Sequence, residues 1–317
     1  MSRGVFGRTG LRGSSVNGQT PATASETRVK QDLDRLLPLL NAKLTSRFEH
    51  GEAVRVGEAI RYSLEAGGKR VRPMLCLLAA ESVGASVEMA LSGALALEYL
   101  HTYSLIHDDL PAMDDDDLRR GKPTCHVAFG EAHAILAGDG LQAEAFAVLA
   151  SDASIPADRR VEAIILLAEA SGWLGMVGGQ ALDLEGEAVE SYGLDHLKTI
   201  HRLKTGALLR ASLEIGGVLG GAESCSRGAL RSAGAYLGLA FQIQDDILDA
   251  TSDAVTLGKR TGKDAGKGKI TYPALLGLDG ARQALADATE NALCHLQSLP
   301  KPESLEAWAR YLAGRKV

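Results

Sequence analysis

The chain has 317 residues, in which 34 lysines and arginines stand against 40 aspartates and glutamates, so its formal net charge is −6. Because nucleic-acid binding needs a basic surface, this balance argues against a nucleic-acid partner. Hydrophobic residues make up 45% of the chain and no charge-free stretch reaches the roughly 18 apolar residues of a membrane-spanning helix, so we expect a globular protein without integral membrane association. The four cysteines lie too far apart for a zinc knuckle or a disulfide scaffold, which favours a reducing cytoplasm.

Residues 1–27 form the first predicted segment, a flexible tail without helical or strand periodicity. The tail is rich in Arg, Gly, Ser and Thr and has one acid, a composition that transit peptides share. Cytoplasmic location is therefore the prediction, and an organellar location stays open if the tail is a targeting segment.

From about Arg28 onward, apolar residues recur three and four apart, alanine and leucine are abundant, and strand signals are scarce. This pattern predicts about ten helices in one all-α domain, residues 28–317, built as a single large helical bundle. The Ala-rich stretches 143–150 and 232–239 are expected to pack closely on all sides in the middle of the bundle.

An unusual density of acids marks residues 104–120, SLIHDDLPAMDDDDLRR. The apolar run 91–106 predicts a buried helix that Pro111 ends, so Asp108 and Asp109 fall in its last turn. The C-terminal end of a helix carries partial negative charge, and an acid there is disfavoured by up to about 1 kcal/mol unless a cation compensates. We therefore expect a cation at this helix end.

The same arrangement recurs at residues 241–249, FQIQDDILD, which end another apolar helix. Asp245 and Asp249 lie four apart on one face, whereas Asp246 is turned by about 100°. Two such helix ends facing each other would form a cage of oxygen ligands, and Mg²⁺ prefers a few carboxylates together with substrate phosphates. The alternative is a solvated acidic surface, and for Asp115–Asp117 we keep that alternative.

A diphosphate needs cations besides the metal ions, and the sequence offers them at four places. Taken singly, the arginines could instead balance the aspartates, and Lys204 could be a surface residue. The Gly-rich basic loop could close over a bound anion. The four places are Lys69, Arg70 and Arg72 in GGKRVRP, Arg119 with Arg120, Lys204 with Thr205, and the loop 257–269.

Two further patterns imitate known sites and are rejected. Glu98 and His101 form an ExxH pair of di-iron type, but no second ExxH occurs. The GDG segment at 138–140 imitates a dinucleotide-binding loop, but no strand precedes it. His101 lies two helical turns before Asp108 and so on the same face, where a core histidine is the ordinary alternative to a ligand.

Together these motifs, in this order, resemble the short-chain trans-isoprenyl diphosphate synthases, with the bacterial farnesyl diphosphate synthases the most similar. The resemblance covers about residues 30–317. It implies an all-α bundle around a central apolar cavity, usually a homodimer, that joins isopentenyl diphosphate head-to-tail to an allylic diphosphate. About three Mg²⁺ ions, with Mn²⁺ as a substitute, are implied as cofactors.

The resemblance also assigns roles to residues. The implied metal ligands are Asp108, Asp109, Asp114, Asp245 and Asp249. The implied ligands of isopentenyl diphosphate are Lys69, Arg72, His101 and Arg120, and those of the allylic substrate are Arg119, Lys204, Thr205, Gln242, Lys259 and Lys269. The catalytic set that follows comprises Asp108, Asp109, Asp114, Asp245, Lys204 and Arg119.

Product length should depend on what blocks the cavity floor. Tyr103 lies five residues before Asp108, about 7.5 Å down the helix axis, with Ser104 beside it. The bacterial farnesyl synthases are similar in having an aromatic residue here and a Pro-Ala pair in the first motif, which favours a C15 product. A C20 or C10 product stays open, since Tyr103 could be an ordinary core aromatic. The second aspartate motif argues against a class I terpene cyclase, and the complete set of aspartates and basic residues argues against a non-catalytic partner subunit.

Overall fold

The computed structural model describes residues 23–187, 193–256 and 270–315, together with Met1. The prediction of an all-α fold is confirmed. A π-helical turn, Arg202–Gly206, joins two of the helices and is called the π turn below. Thirteen α-helices lie within the described residues: α1 (Ala24–Leu44), α2 (Val54–Leu64), α3 (Val71–Ser82), α4 (Leu91–Asp108), α5 (Cys125–Phe129), α6 (Glu131–Ala150), α7 (Ala157–Ser171), α8 (Met176–Glu187), α9 (Leu194–His201), α10 (Ala207–Leu219), α11 (Ser224–Thr256), α12 (Tyr272–Leu296) and α13 (Glu303–Gly314).

Helix α1 begins at Ala24, before the predicted domain boundary at residue 28. The reason is a capping box: the Thr23 hydroxyl accepts the Glu26 N–H at 3.2 Å, and the Glu26 carboxylate accepts the Thr23 N–H at 2.6 Å. Such reciprocal bonds satisfy donors that the first helical turn leaves free. Residues 2–22 of the predicted tail lie outside the described residues.

The middle of the bundle consists of α3, α4 and α10. Every residue of α10 except Arg210 is buried, which no amphipathic surface helix achieves. Gly216 lets α10 lie directly against α3, because a Cβ there would clash with the Cys76 carbonyl oxygen. The prediction that 143–150 and 232–239 pack on all sides is wrong, since each of these stretches leaves residues exposed to solvent.

A short antiparallel hairpin follows α4, with β1 (Leu118–Arg119) paired to β2 (Lys122–Pro123). Its two turn residues, Arg120 and Gly121, have φ of 54° and 75°, as a two-residue hairpin loop of type I′ requires. The Tyr62 hydroxyl donates to the Pro123 carbonyl at 2.7 Å and holds the hairpin against α2. The hairpin therefore places Arg119 and Arg120 beside the end of α4.

One described stretch, Ala157–Gly186, is long enough to cross a membrane and contains an 18-residue window with a mean hydropathy of 1.5. The structure interrupts it, because α7 ends at Ser171 and α8 starts at Met176. Length and composition alone are weak grounds for a membrane span. The absence of integral membrane association therefore stays a prediction.

Candidate active site

A cavity of about 600 Å³ lies between α3, α4, α6, α8 and the π turn. Its walls combine apolar side chains, such as Leu110, Met176 and Leu184, with a few polar groups, which is the usual make-up of a small-molecule site. Seven of the residues singled out from the sequence line it together: Arg72, His101, Tyr103, Ser104, Asp108, Lys204 and Thr205.

Asp108 is the last residue of α4 and is exposed to this cavity. Burial raises the pKa of its carboxyl to about 6, with the Lys204 charge opposing and the Asp114 charge adding to that rise. The loop folds back over the helix end, where the Asp114 N–H donates to the Asp108 carbonyl oxygen at 2.9 Å. Two predicted metal ligands are thus held together at a helix end that itself favours a cation.

Asp109 turns the other way from Asp108 and is only 3% exposed. The Arg119 Nε lies 2.8 and 3.0 Å from its two carboxylate oxygens, and the second guanidinium nitrogen lies 2.5 Å from one of them. This bonding raises the pKa of Arg119. In the structure, therefore, Asp109 positions Arg119 and does not face the cavity. The predicted metal-binding role of Asp109 requires this ion pair to open. The predicted contact of Arg119 with the allylic substrate requires either the same opening or the use of its remaining N–H groups.

Arg70 does not join the diphosphate site that GGKRVRP predicts. It adopts a left-handed conformation, with φ of 47°, and its side chain turns into the core. There it forms a buried ion pair with Glu98 and donates to the Leu64 carbonyl oxygen. The expectation for Arg70 is therefore wrong, and Glu98 of the rejected ExxH pair is a structural counter-ion.

Replacing Glu98 with alanine is expected to lower the free energy of unfolding by about 3–5 kcal/mol, because Arg70 would keep a buried, uncompensated charge. Urea unfolding followed by circular dichroism measures this change. Asp34→Ala is the matched control, since it breaks an exposed helical pair with Lys30 and should cost less than about 1 kcal/mol. Equal losses in the two variants would contradict a buried ion pair.

A cluster of cations surrounds His101. Burial lowers the pKa of Arg72 to about 10, which leaves the guanidinium charged at neutral pH, and its Nε has no hydrogen-bond partner among the described residues. Desolvation and the charges of Arg72, Arg120, Arg119 and Arg70 hold the pKa of His101 well below its usual range, so the imidazole is neutral. A half-buried cation with a buried, unused donor, facing a cavity, is suited to binding an anion.

The second aspartate motif adjoins this cluster. Burial raises the pKa of Asp245, while the nearby charges of Arg315, Lys69 and Arg72 lower it. Arg315 forms an ion pair with Asp245 and stacks over the Phe241 ring at 3.9 Å. Because Arg72 also lines the cavity that contains Asp108, both motifs lie near the same arginine.

The remaining members of the second motif point in different directions. Asp246 is buried and accepts the Tyr272 backbone N–H at 2.9 Å, and its other oxygen lies 3.8 Å from His201 Nε2. Gln242 hydrogen-bonds to Asp246. Its contact with the allylic diphosphate stays a prediction. Asp249 is exposed, and its charge raises the pKa of Asp245, so these two acids share a face as their spacing predicts.

Within the described ranges, no three acidic, histidine or cysteine side chains converge tightly enough to bind a metal ion by themselves. Mg²⁺ does not require such convergence, because it keeps several waters and binds through one or two carboxylates plus substrate phosphates. The pairs Asp108 with Asp114 and Asp245 with Asp249 fit that donor set. Lys259 and Lys269, predicted to contact the allylic substrate, lie outside the described residues.

The structure adds two residues of α8 that the sequence analysis missed. Asp183 binds the Lys204 ammonium at 2.6 Å, and the Gln180 Oε1 is buried in the cavity wall without a hydrogen-bond partner in the described part of the chain. A signal was present, since two polar residues spaced three apart interrupt an apolar helix. Arg315, a lone arginine near the end of the chain, gave no such signal.

Tyr103 is fixed rigidly in the cavity wall. It is 6% exposed, its ring meets His107 edge-on with centroids 5.5 Å apart, and its hydroxyl hydrogen-bonds to Gln142. His107 Nε2 in turn donates its N–H to the Ile135 carbonyl oxygen, 3.1 Å away, and the ring packs on Gly138, where a Cβ would clash with it. The glycine of the rejected GDG pattern thus makes room for the histidine that supports Tyr103.

Comparison with known proteins identifies the family to which this arrangement belongs. The family model for polyprenyl synthetase matches residues 54–306. The chain belongs to the polyprenyl synthetase family. It is 51% identical over 270 residues to the farnesyl diphosphate synthase of Escherichia coli strain K12, covering 82% of this chain and 89% of that one. It is also 44% identical to geranylgeranyl pyrophosphate synthase 9 of Arabidopsis thaliana, covering 87% of this chain and 78% of that one.

A solved structure of a geranyltransferase from Legionella pneumophila superposes on this polyprenyl synthetase with a TM-score of 0.81 at 37% identity, covering 92% of this chain and 99% of that one. The resemblance drawn from the motifs is therefore confirmed, as is the assignment to the prenyltransferases. The roles of the individual side chains remain predictions.

Proposed function

We propose that the chain is a farnesyl diphosphate synthase that elongates dimethylallyl and geranyl diphosphate with isopentenyl diphosphate. The observation that carries this proposal is the cavity of about 600 Å³, which Asp108, Arg72 and Lys204 line together with the ring of Tyr103. The identity to farnesyl diphosphate synthases supports the C15 product. The geranylgeranyl relatives keep a C20 product as the second candidate.

The charged residues divide the work of the reaction. Arg72, with Lys69 and Arg120, would bind isopentenyl diphosphate, while Lys204 and Thr205 would hold the allylic diphosphate. The allylic C–O bond breaks, the isopentenyl double bond forms the new C–C bond, and a proton leaves the product for the departing diphosphate. Bound Mg²⁺, held by Asp108, Asp114, Asp245 and Asp249, would neutralise the charge that develops on this leaving group. The apolar walls would keep water away from the allylic cation that the departing diphosphate leaves behind.

Product analysis tests the proposal. The purified chain is incubated with Mg²⁺ or Mn²⁺, labelled isopentenyl diphosphate and either dimethylallyl or geranyl diphosphate, and the dephosphorylated alcohols are separated by chromatography. Farnesol as the main product supports the proposal. Geranylgeraniol would keep the reaction and change the product, whereas hydrocarbon release from farnesyl diphosphate without elongation would indicate a cyclase.

Replacing Tyr103 with alanine is expected to move the main product from C15 to C20 or longer, because the cavity floor loses its ring. The same chromatography measures the product spectrum. Tyr62→Ala is a control, since its hydroxyl contacts Pro123 on the surface and its ring does not line this cavity. An unchanged spectrum in the Tyr103 variant would show that another residue forms the floor.

We also propose a homodimer, from the apolar residues that the single chain leaves in contact with solvent. Leu136 on α6 is 52% exposed, and Val161 and Ile165 on α7 are 56% and 51% exposed. Exposed apolar residues on two helices that pack against each other suit a self-association surface. Ile165→Glu is expected to shift the protein from dimer to monomer in sedimentation experiments, whereas Arg310→Glu on exposed α13 surface should leave the mass unchanged.

A further inference from the structure

A second cavity, of about 280 Å³, lies between α7, α9, α10, α11 and the π turn. Small-molecule sites usually occupy roughly 300–1,000 Å³, so this cavity is at the lower limit of that range. Its walls are mostly apolar, and none of its lining residues lines the active-site cavity. The apolar walls are formed by Leu174, Leu203, Ala207, Ala235, Tyr236 and Leu239.

The two cavities lie on opposite sides of the π turn. Leu203 and Gly206 of this turn line the second cavity, whereas Lys204 and Thr205 line the active site. π-Helical turns are rare and occur frequently at functional sites. A displacement of the turn toward one cavity therefore moves the side chains that face the other.

Close backbone packing fixes the turn on two further sides. On α8, a Cβ at Gly179 would clash with the Lys204 backbone nitrogen. On α11, a Cβ at Gly238 would lie 2.8 Å from the Gly206 Cα. Because these glycine contacts leave no space, the two cavities are the sides toward which the turn has room to adjust.

Two cations border the apolar walls of the second cavity. Lys198 and Arg202 are exposed lining residues, whereas Arg210 is paired with Glu214 at 3.1 Å. The one acid in the lining is Glu169, an exposed residue of α7. An apolar cavity with a cationic border suits a hydrocarbon chain that ends in an anionic group.

We propose that this cavity binds a single-chain anionic amphiphile, a hydrocarbon chain with a phosphate or carboxylate head group, and that binding changes the position of Lys204. The head group would pair with Lys198 and Arg202, and the chain would contact Leu174, Leu203 and Leu239. The effect on Lys204 rests on the proposed function, because it is expressed as weaker binding of the allylic diphosphate. The binding of the amphiphile to this cavity does not rest on the proposed function.

Calorimetric titration of the full chain tests the binding. Dodecyl phosphate and dodecanoate, each below its micelle concentration, serve as probes for a prenyl phosphate and a fatty acid, and the tighter one identifies the head group. Ala235→Trp, which fills the cavity from an exposed position, is expected to abolish binding. Lys198→Ala combined with Arg202→Ala should weaken it at least tenfold, and Arg310→Ala, an exposed arginine on α13, should not change it. Binding that survives Ala235→Trp would overturn the proposal.

Steady-state kinetics test the coupling. The tighter probe is expected to raise KM for geranyl diphosphate at least threefold in the unaltered protein and not in Ala235→Trp, with KM for isopentenyl diphosphate unchanged. If the probe binds while both KM values stay constant, the coupling through the π turn is wrong. If the chain forms no product, the proposed function fails, but the titration still decides whether the site exists.

Discussion

Asp108→Ala is expected to lower kcat by about a thousandfold while the helical fold stays intact. Asp108 ends α4 inside the cavity with a raised pKa, and Asp114 is bonded to its carbonyl oxygen, so this carboxylate is available to a cation and has Lys204 as an opposing charge. Losing one fixed electrostatic contact to a leaving group typically costs a factor of about 100 to 1,000. Asp245→Ala, in the second motif, should have an effect of the same size.

Two measurements separate loss of chemistry from loss of structure. Circular dichroism should show unchanged helicity in both variants. Kinetics at increasing Mg²⁺ should show that a higher Mg²⁺ concentration is needed for the half-maximal rate. Asp116→Ala is the matched control, because Asp116 belongs to the same acidic run but is exposed. Its ion pair with Arg119 is long, at 3.9 Å. Near-normal rates for Asp108→Ala would remove the proposed metal site.

Arg72→Gln is expected to lower kcat/KM for isopentenyl diphosphate by roughly 30-fold to 4,000-fold, mainly through KM. Arg72 is a half-buried cation whose buried Nε has no partner among the described residues, so a diphosphate would complete its hydrogen bonding. Truncating one member of a buried, hydrogen-bonded charge pair typically costs about 2–5 kcal/mol, and each 1.4 kcal/mol is a factor of ten. Arg72→Lys should recover only part of the loss, since an ammonium lacks the forked donors.

The substrate dependence of the effect is the decisive part of this second prediction. KM for geranyl diphosphate should change much less than KM for isopentenyl diphosphate in Arg72→Gln. Arg310→Gln, which alters an exposed arginine on α13, should leave both constants unchanged. Equal increases for both substrates would show that Arg72 acts on the cavity as a whole and does not select isopentenyl diphosphate.

Local signals in the sequence were sufficient for the fold class and for the main polar groups. Helical periodicity and the scarcity of strand signals predicted an all-α bundle, and Pro111 together with the apolar run before it placed Asp108 in the last turn of a helix. The four-residue spacing of Asp245 and Asp249 predicted a shared face, and helical geometry predicted that Asp246 points in another direction. In the structure, Asp246 accepts the Tyr272 backbone N–H.

Contacts between distant segments escaped the sequence analysis, because a charged residue looks alike whether its partner is a ligand or another side chain. Arg70 and Arg72 are two apart in one motif, yet Arg70 pairs with Glu98 in the core and Arg72 faces the cavity. Similarly, the pairing of Lys204 with Asp183 and of Arg315 with Asp245 depends on α8 and the end of the chain lying beside residues far away in sequence.

The sequence by itself thus determined the helical class, the family and the positions of both aspartate motifs, since these depend on periodicity, spacing and order along the chain. The tertiary structure decided which charges face the cavity and which are bound to each other, and it alone produced the π turn between two cavities. The physical reason is that burial and pairing set the free energy of a charge, and both are properties of neighbours in space.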